Sequence, residues 1–199
     1  MMLSVVKPLM VVALGSAVSV AANGVKDVRK DRMRGAYYGA LVADALTLGS
    51  HYEYSAPKIK QAYGGTIQKY MAAGEQMGGE THGIGWGARN YHPGTVAGDQ
   101  TDYGEYNVLI LEYLATTASS PHPFEVKELL PIWKNRLETD WKQWICTQTK
   151  NTYQQVAEGV PVNQLGGLSN AMSLRFAPVF SYYGDEEDVV DAAHKSMFT

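Results

Sequence analysis

Apolar and polar positions along this chain recur mostly at intervals of three and four residues, the period of a helix. From Arg32 to Leu46, Gly35, Gly39 and Ala43 form one row of small residues, and Ala36, Ala40 and Asp44 form a second beside it. Such rows predict close approach by other helices, which offsets the roughly 1 kcal/mol that a helical glycine costs relative to alanine. Asp44 stands on a row that reads as buried, so its carboxylate requires a partner. A shorter helix is expected over residues 56–63. Residues 64–98 then hold 10 of the 20 glycines, which predicts a long irregular segment of the kind that carries function.

Periodicity returns at Asp99. Tyr106, Leu109, Ile110, Tyr113 and Leu114 mark one helical face, and Asp99, Thr101 and Asp102 crowd its start, where caps and carboxylates are favoured. One helix or a pair is expected over residues 124–145, with Leu130, Trp133, Leu137, Trp141 and Trp144 on one side, and another over 152–158. Ser169 or Asn170 reads as the cap of a short helix ending before Pro178. Asp185 reads as the cap of a last one, with Glu186, Glu187 and Asp188 in its first turn and Val189, Val190, Ala193 and Met197 on its face. No stretch alternates with period two. The predicted class is all-α.

The first residues carry a different signal. Lys7 precedes an apolar or small run from Leu9 to Val20, and Ser19-Val20-Ala21 is a small-x-small pattern. This reads as a signal peptide over 1–21, cleaved after Ala21, then a short linker over 22–31 and a domain over 32–199. The expected destination is the secretory pathway or the exterior. The run is too short for stable membrane insertion. With 45% hydrophobic and 19% charged residues the chain is globular in composition, and its net charge of −3 offers no basic surface for nucleic acid. Cys146 is the single cysteine, so no internal disulfide forms, and no Asn-x-Ser/Thr acceptor occurs.

Candidate chemistry concentrates at GDQTDYGEY, residues 98–106. Oxygens from Thr101 and Asp102 at a helix start suit a hard cation, although on residue types alone capping is the commoner use of such residues. His82 and His92 lie in the glycine-rich segment at a spacing that matches no zinc pattern. His51, within HYEYS beside Glu53, reads as a core or pocket residue. Arg175, flanked by apolar residues in SNAMSLRFAP, is the kind of buried cation that serves a carboxylate or a phosphate, although on residue types alone a structural salt bridge is the commoner use. Cys146 has no evident base partner. The run GIGWGA lacks the strand and βαβ frame of a dinucleotide loop.

Three segments in register resemble the ADP-ribosylglycohydrolase family. GALVADALTLGSHYE is similar to the family's Gly-Asp-Ala-Leu-Gly helix end, GDQTDYGEYNVLILEYL to its Gly-x-x-Thr-Asp-Asp-Thr helix start, and LSNAMSLRFAPVF to its Gly-Asn-Gly-Ala-Ala-Met-Arg-x-Ala-Pro. The resemblance runs from about Arg32 to the end of the chain. It implies a compact all-helical fold, a two-magnesium centre and hydrolysis of the glycosidic bond of an ADP-ribosyl group. The partner implied is an ADP-ribosylated protein or an ADP-ribose-type small molecule. By the same resemblance Thr101 and Asp102 are the metal ligands, Asp102 and Glu53 the catalytic carboxylates, and Asp44, His51, Asn170 and Arg175 the substrate-binding residues.

The chain departs from the family pattern in an ordered way. Tyr103 stands where the family has a second metal-binding Asp, and Gly104 where it has Thr. The family's Glu after the first motif falls on His51, with Glu53 two residues late. A tyrosine does not replace an ionised carboxylate on Mg²⁺. These departures resemble the J-crystallins, lens proteins similar to the same family. The family's C-terminal acidic metal motif is expected beyond Thr199, so the chain reads as truncated. At most one Mg²⁺ is expected to bind. Two function classes follow: a hydrolase, or a catalytically inactive crystallin-like structural or ADP-ribose-binding protein.

Overall fold

The computed structural model describes residues 28–83, 85, 87–116, 122–167, 169, 175–183 and 186–197. The expected signal peptide, residues 22–27 of the expected linker, Asn170 and Asp185 lie outside them. Seven α-helices occur among the described residues: α1 Val28–Thr47, α2 Ala56–Tyr63, α3 Asp102–Thr116, α4 Val126–Thr139, α5 Thr147–Ala157, α6 Ala177–Tyr182 and α7 Glu186–Ser196. The all-α class is what the periodicity indicates, with one addition. A two-stranded antiparallel ribbon pairs β1 Thr81–Gly83 with β2 Gly87–Arg89. Three residues per strand are too few to display an alternating pattern in the sequence.

Helix α3 lies at the centre, against α1, α4 and α6. Its Tyr106, Leu109, Ile110, Tyr113 and Leu114 pack with Phe124, Val126, Leu129 and Trp133 around α4, and with Val179, Tyr183 and Ala192 from the C-terminal helices. A large aliphatic or aromatic side chain buried this way stabilises by about 1.5–3 kcal/mol. The Tyr113 hydroxyl accepts the Glu125 N–H at 2.9 Å, supplying the start of α4 with a partner that Glu125's own side chain does not provide.

Several boundaries differ from expectation. Helix α1 already runs at Val28, so residues 28–31 are helical and not linker. Its buried face is not the small-residue rows: Gly35, Ala36, Gly39 and Ala43 are exposed, and a Cβ added at Gly35 or Gly39 meets nothing within 4 Å. Burial instead follows Tyr37, Ala45 and Leu48, with Leu41 half-buried between them. Helix α4 stops at Thr139, and Trp141 and Trp144 belong to the loop after it. Helix α5 starts at Thr147 and not at Thr152. Pro178 sits in the first turn of α6, where its missing N–H costs nothing, and the short helix expected before it falls on residues 170–174, outside the described ones. On α7, Val190 and Met197 face solvent, while Ala192 and Ser196 are buried. Among the described residues no helix is long and apolar enough to cross a membrane.

Gly49 explains how the chain leaves α1. A Cβ there would lie 2.4 Å from the Tyr63 hydroxyl and 2.9 Å from Met71 Cβ. The absent side chain lets the short 3₁₀ turn Leu48–Ser50 press against the end of α2, and residues 51–55 then cross in front of α3.

Candidate functional site

The start of α3 and the end of α1 are tied by one carboxylate. Asp44 Oδ2 accepts the Thr101 N–H at 2.7 Å and Asp44 Oδ1 accepts the Thr101 hydroxyl at 2.6 Å. Burial pushes the Asp44 carboxyl above its ordinary range, against the pull of the Thr101 hydroxyl, the Thr101 N–H and the Gly104 N–H. Gly104 makes this contact possible, because a Cβ at that position would stand 2.2 Å from Asp44 Oδ2. The partner that the half-buried Asp44 carboxylate requires is therefore the N-terminus of α3.

Asp102, the first residue of α3, is 2% exposed. Its Oδ1 is buried with no hydrogen-bond partner among the described residues. Burial raises its pKa to about 7; its own backbone N–H opposes the rise, the Asp44 charge adds to it and the Arg175 charge opposes it. Arg175 is equally buried, with its guanidinium 3.5 Å above the Tyr106 ring. Its Nε and Nη1 also lack partners among the described residues. Among the described residues a buried acceptor and buried donors thus stand unpaired in one centre, although buried polar groups are normally bonded.

The segment His51–Tyr54 closes the centre. Thr81 in β1 donates its hydroxyl to the His51 carbonyl at 2.7 Å. Tyr52 adopts φ +65°, a left-handed conformation rare for a bulky side chain. This twist separates its neighbours. His51 Nδ1 lies 3.8 Å from Asp102 Oδ1 and 2.6 Å from His92 Nε2. Glu53 instead accepts the Ser55 N–H at 2.9 Å and meets His82 Nδ1 at 3.2 Å. Burial raises the Glu53 carboxyl, but the bonds from Ser55 and His82 outweigh it and hold the carboxyl below its ordinary value. Of the residues the sequence singles out, Asp44, His51, Thr101, Asp102 and Arg175 come together, whereas Glu53 forms a separate pair with His82.

His92 supplies what the sequence did not reveal. It is 1% exposed, and its ring stacks on His51 with centroids 4.8 Å apart. Its Nδ1 accepts the Trp144 N–H at 3.1 Å. The Asn90 side chain accepts its N–H, and the Thr95 hydroxyl donates to its carbonyl. Burial lowers the pKa of His51 to about 4 and, with help from the His51 charge, that of His92 to about 3. Both rings are neutral at pH 7.

A magnesium centre asks for several oxygen ligands in octahedral array. Here the Thr101 hydroxyl is already committed, donating to Asp44 and accepting the Tyr103 N–H at 3.2 Å. Burial, and next the Asp102 charge, push the Tyr103 phenol up to about 12, so it is not an anionic ligand. The ligand-like cluster here is rich in nitrogen: His51, His92 and Asp102 offer three ligand atoms within 4.8 Å of one another. Among the described residues the donor set does not fit two magnesium ions. The arrangement can accept a hydrogen bond from a hydroxyl at Asp102 and donate to anionic oxygens from Arg175. A carboxyl with a pKa near 7 is also poised for proton transfer.

The family model described as ADP-ribosylglycohydrolase matches residues 25–199. No curated protein and no solved structure matches the chain.

Proposed function

The chain belongs to the ADP-ribosylglycohydrolase family, and from that premise we propose that it binds an ADP-ribose-type ligand, free or protein-attached, between Asp102 and Arg175. The observation that carries this reading is the pair of unpartnered buried groups. Among the described residues Asp102 Oδ1 lacks a donor, and Arg175 Nε and Nη1 lack acceptors. A ribose hydroxyl and a phosphate oxygen are the groups that satisfy them. Asp44 holds Thr101, so both act as supports of the site. Asn170 belongs to the same reading by its motif.

Family membership implies a metal-dependent hydrolase, and magnesium-dependent cleavage of an ADP-ribosyl bond is the first form of the reading. The geometry favours the second form, ligand binding without magnesium-dependent turnover. Tyr103 and His51 stand where carboxylates are expected, and the Thr101 hydroxyl is engaged by Asp44. With Asp102 as the one carboxylate of the second motif, any Mg²⁺ it holds binds weakly. Export behind a leader cleaved after Ala21 completes the proposal.

Calorimetric titration with ADP-ribose, in excess Mg²⁺ and again in EDTA, tests it together with an assay for release from ADP-ribosyl-arginine. We expect binding that EDTA leaves unchanged, and no release. Magnesium-dependent release returns the protein to the hydrolase form. Absence of ADP-ribose binding in both buffers removes the reading altogether.

A further inference from the structure

We infer that His92 is a positioning residue: it locks His51 as a neutral imidazole with its proton on Nε2, so that His51 serves the centre as a hydrogen-bond donor and not as a metal ligand.

The main-chain N–H of Trp144 has no role except to donate, and it points at His92 Nδ1 from 3.1 Å. That nitrogen therefore carries no proton. In a neutral ring the proton then sits on Nε2. His92 Nε2 is 2.6 Å from His51 Nδ1, so it donates and His51 Nδ1 accepts. The His51 proton is thereby assigned to Nε2. The relay is held from outside as well: Asn90 and Thr95 fix the His92 backbone, and Thr81 fixes the His51 carbonyl.

Two consequences follow. Neither nitrogen at the His51–His92 contact keeps a lone pair for a cation. A ligating histidine donates its second ring N–H to an acceptor, whereas the second nitrogen of His92 is itself an acceptor. The trio of His51, His92 and Asp102 has ligand-like spacing, but its protons are in the wrong places for a metal. Asp102 Oδ1, 3.8 Å from an unprotonated His51 Nδ1, also gains no donor from His51 and stays open to a ligand hydroxyl. The centre is left with one donor, His51 Nε2–H, and one acceptor, Asp102 Oδ1, the two roles that ribose oxygens can meet. This last step rests on the function proposed above; the tautomer assignment does not.

Long-range ¹H–¹⁵N spectra of the labelled full chain at pH 7 test the relay directly. We expect both rings to show the Nε2–H pattern, unchanged by equimolar Zn²⁺ or excess Mg²⁺. An Nδ1–H pattern at His92, or Zn²⁺ shifting both rings at stoichiometric concentration, overturns the inference. The variants His92→Gln and His92→Phe add a second readout. The Gln amide accepts from Trp144 and donates to His51, so the His51 pattern is expected to survive in it. In His92→Phe that pattern is expected to be lost, with ADP-ribose affinity lower by on the order of tenfold. An unaltered His51 pattern in His92→Phe counts against the relay. If that variant fails to fold, the wild-type spectra and His92→Gln decide alone. A wild-type chain with the expected tautomers but no affinity for ADP-ribose sinks the functional proposal and leaves the relay intact.

Discussion

Asp102 is buried beside an uncharged imidazole, and its ionised form is the less favourable one there. Burial lifts its pKa from 3.8 to about 7. Between those values the folded chain binds more protons than the unfolded chain. Its contribution to stability is therefore full below about pH 4 and falls as pH rises toward 7. Asp102→Asn removes the charge and keeps the shape. At pH 7.5 the variant is expected to be more stable than wild type by on the order of 1–3 kcal/mol in urea unfolding, with the gain shrinking toward pH 4. No gain at pH 7.5 would mean that the Arg175 charge already compensates Asp102 in the folded chain. A gain in stability with a loss of ADP-ribose binding is the signature of a group kept for its ligand.

At the scale of elements, Tyr106 is the junction. Its hydroxyl accepts the Trp133 indole N–H at 3.0 Å and shares a 2.8 Å bond with Thr149, joining α3, α4 and α5, while its ring bears Arg175. Tyr106→Phe strands two buried polar groups and is expected to cost roughly 1–3 kcal/mol in thermal or urea unfolding. The ring under Arg175 remains, so ligand affinity per folded molecule should hold; a large loss of affinity would place the hydroxyl in the site. This junction also shows what the sequence discloses and what it hides. Helix α3 is legible because large apolar residues mark its face at helical spacing. The start of α5 is not, because its buried face is Thr149 and Thr152, and threonine reads as polar in any periodic scan. The ribbon of β1 and β2 is too short to announce itself. In the site, Asp44, Thr101, Asp102 and Arg175 are visible through local motifs. His92 is not, since its bonds reach His51 and Trp144 across 41 and 52 residues, a distance over which no local pattern operates.

For the whole molecule these groups meet in one quantity, the dependence of folding stability on pH. His51 and His92 titrate near 4 and 3 when folded, against 6.5 for an unperturbed imidazole. As pH falls below 6.5 the unfolded chain takes up these two protons before the folded chain does. The pair's contribution is thus full above pH 6.5 and is lost as pH falls through about 4 and then about 3. Glu53, shifted down, acts in the same sense at lower pH. Asp102, Asp44 and Glu105, all shifted up, act in the opposite sense. The wild-type profile is a balance of the two sets, and the double variant His51→Gln with His92→Gln removes the larger part of one. Its thermal midpoint, followed from pH 4 to 8, is expected to fall as pH rises toward 7, because the buried carboxyls then dominate. The difference in stability between wild type and variant, whatever its value at pH 8, should shift against the wild type as pH drops from 6.5 toward 4. Parallel profiles would show that the two imidazoles titrate alike in the folded and unfolded chain. That result would contradict the buried, neutral state on which the hydrogen-bond relay depends.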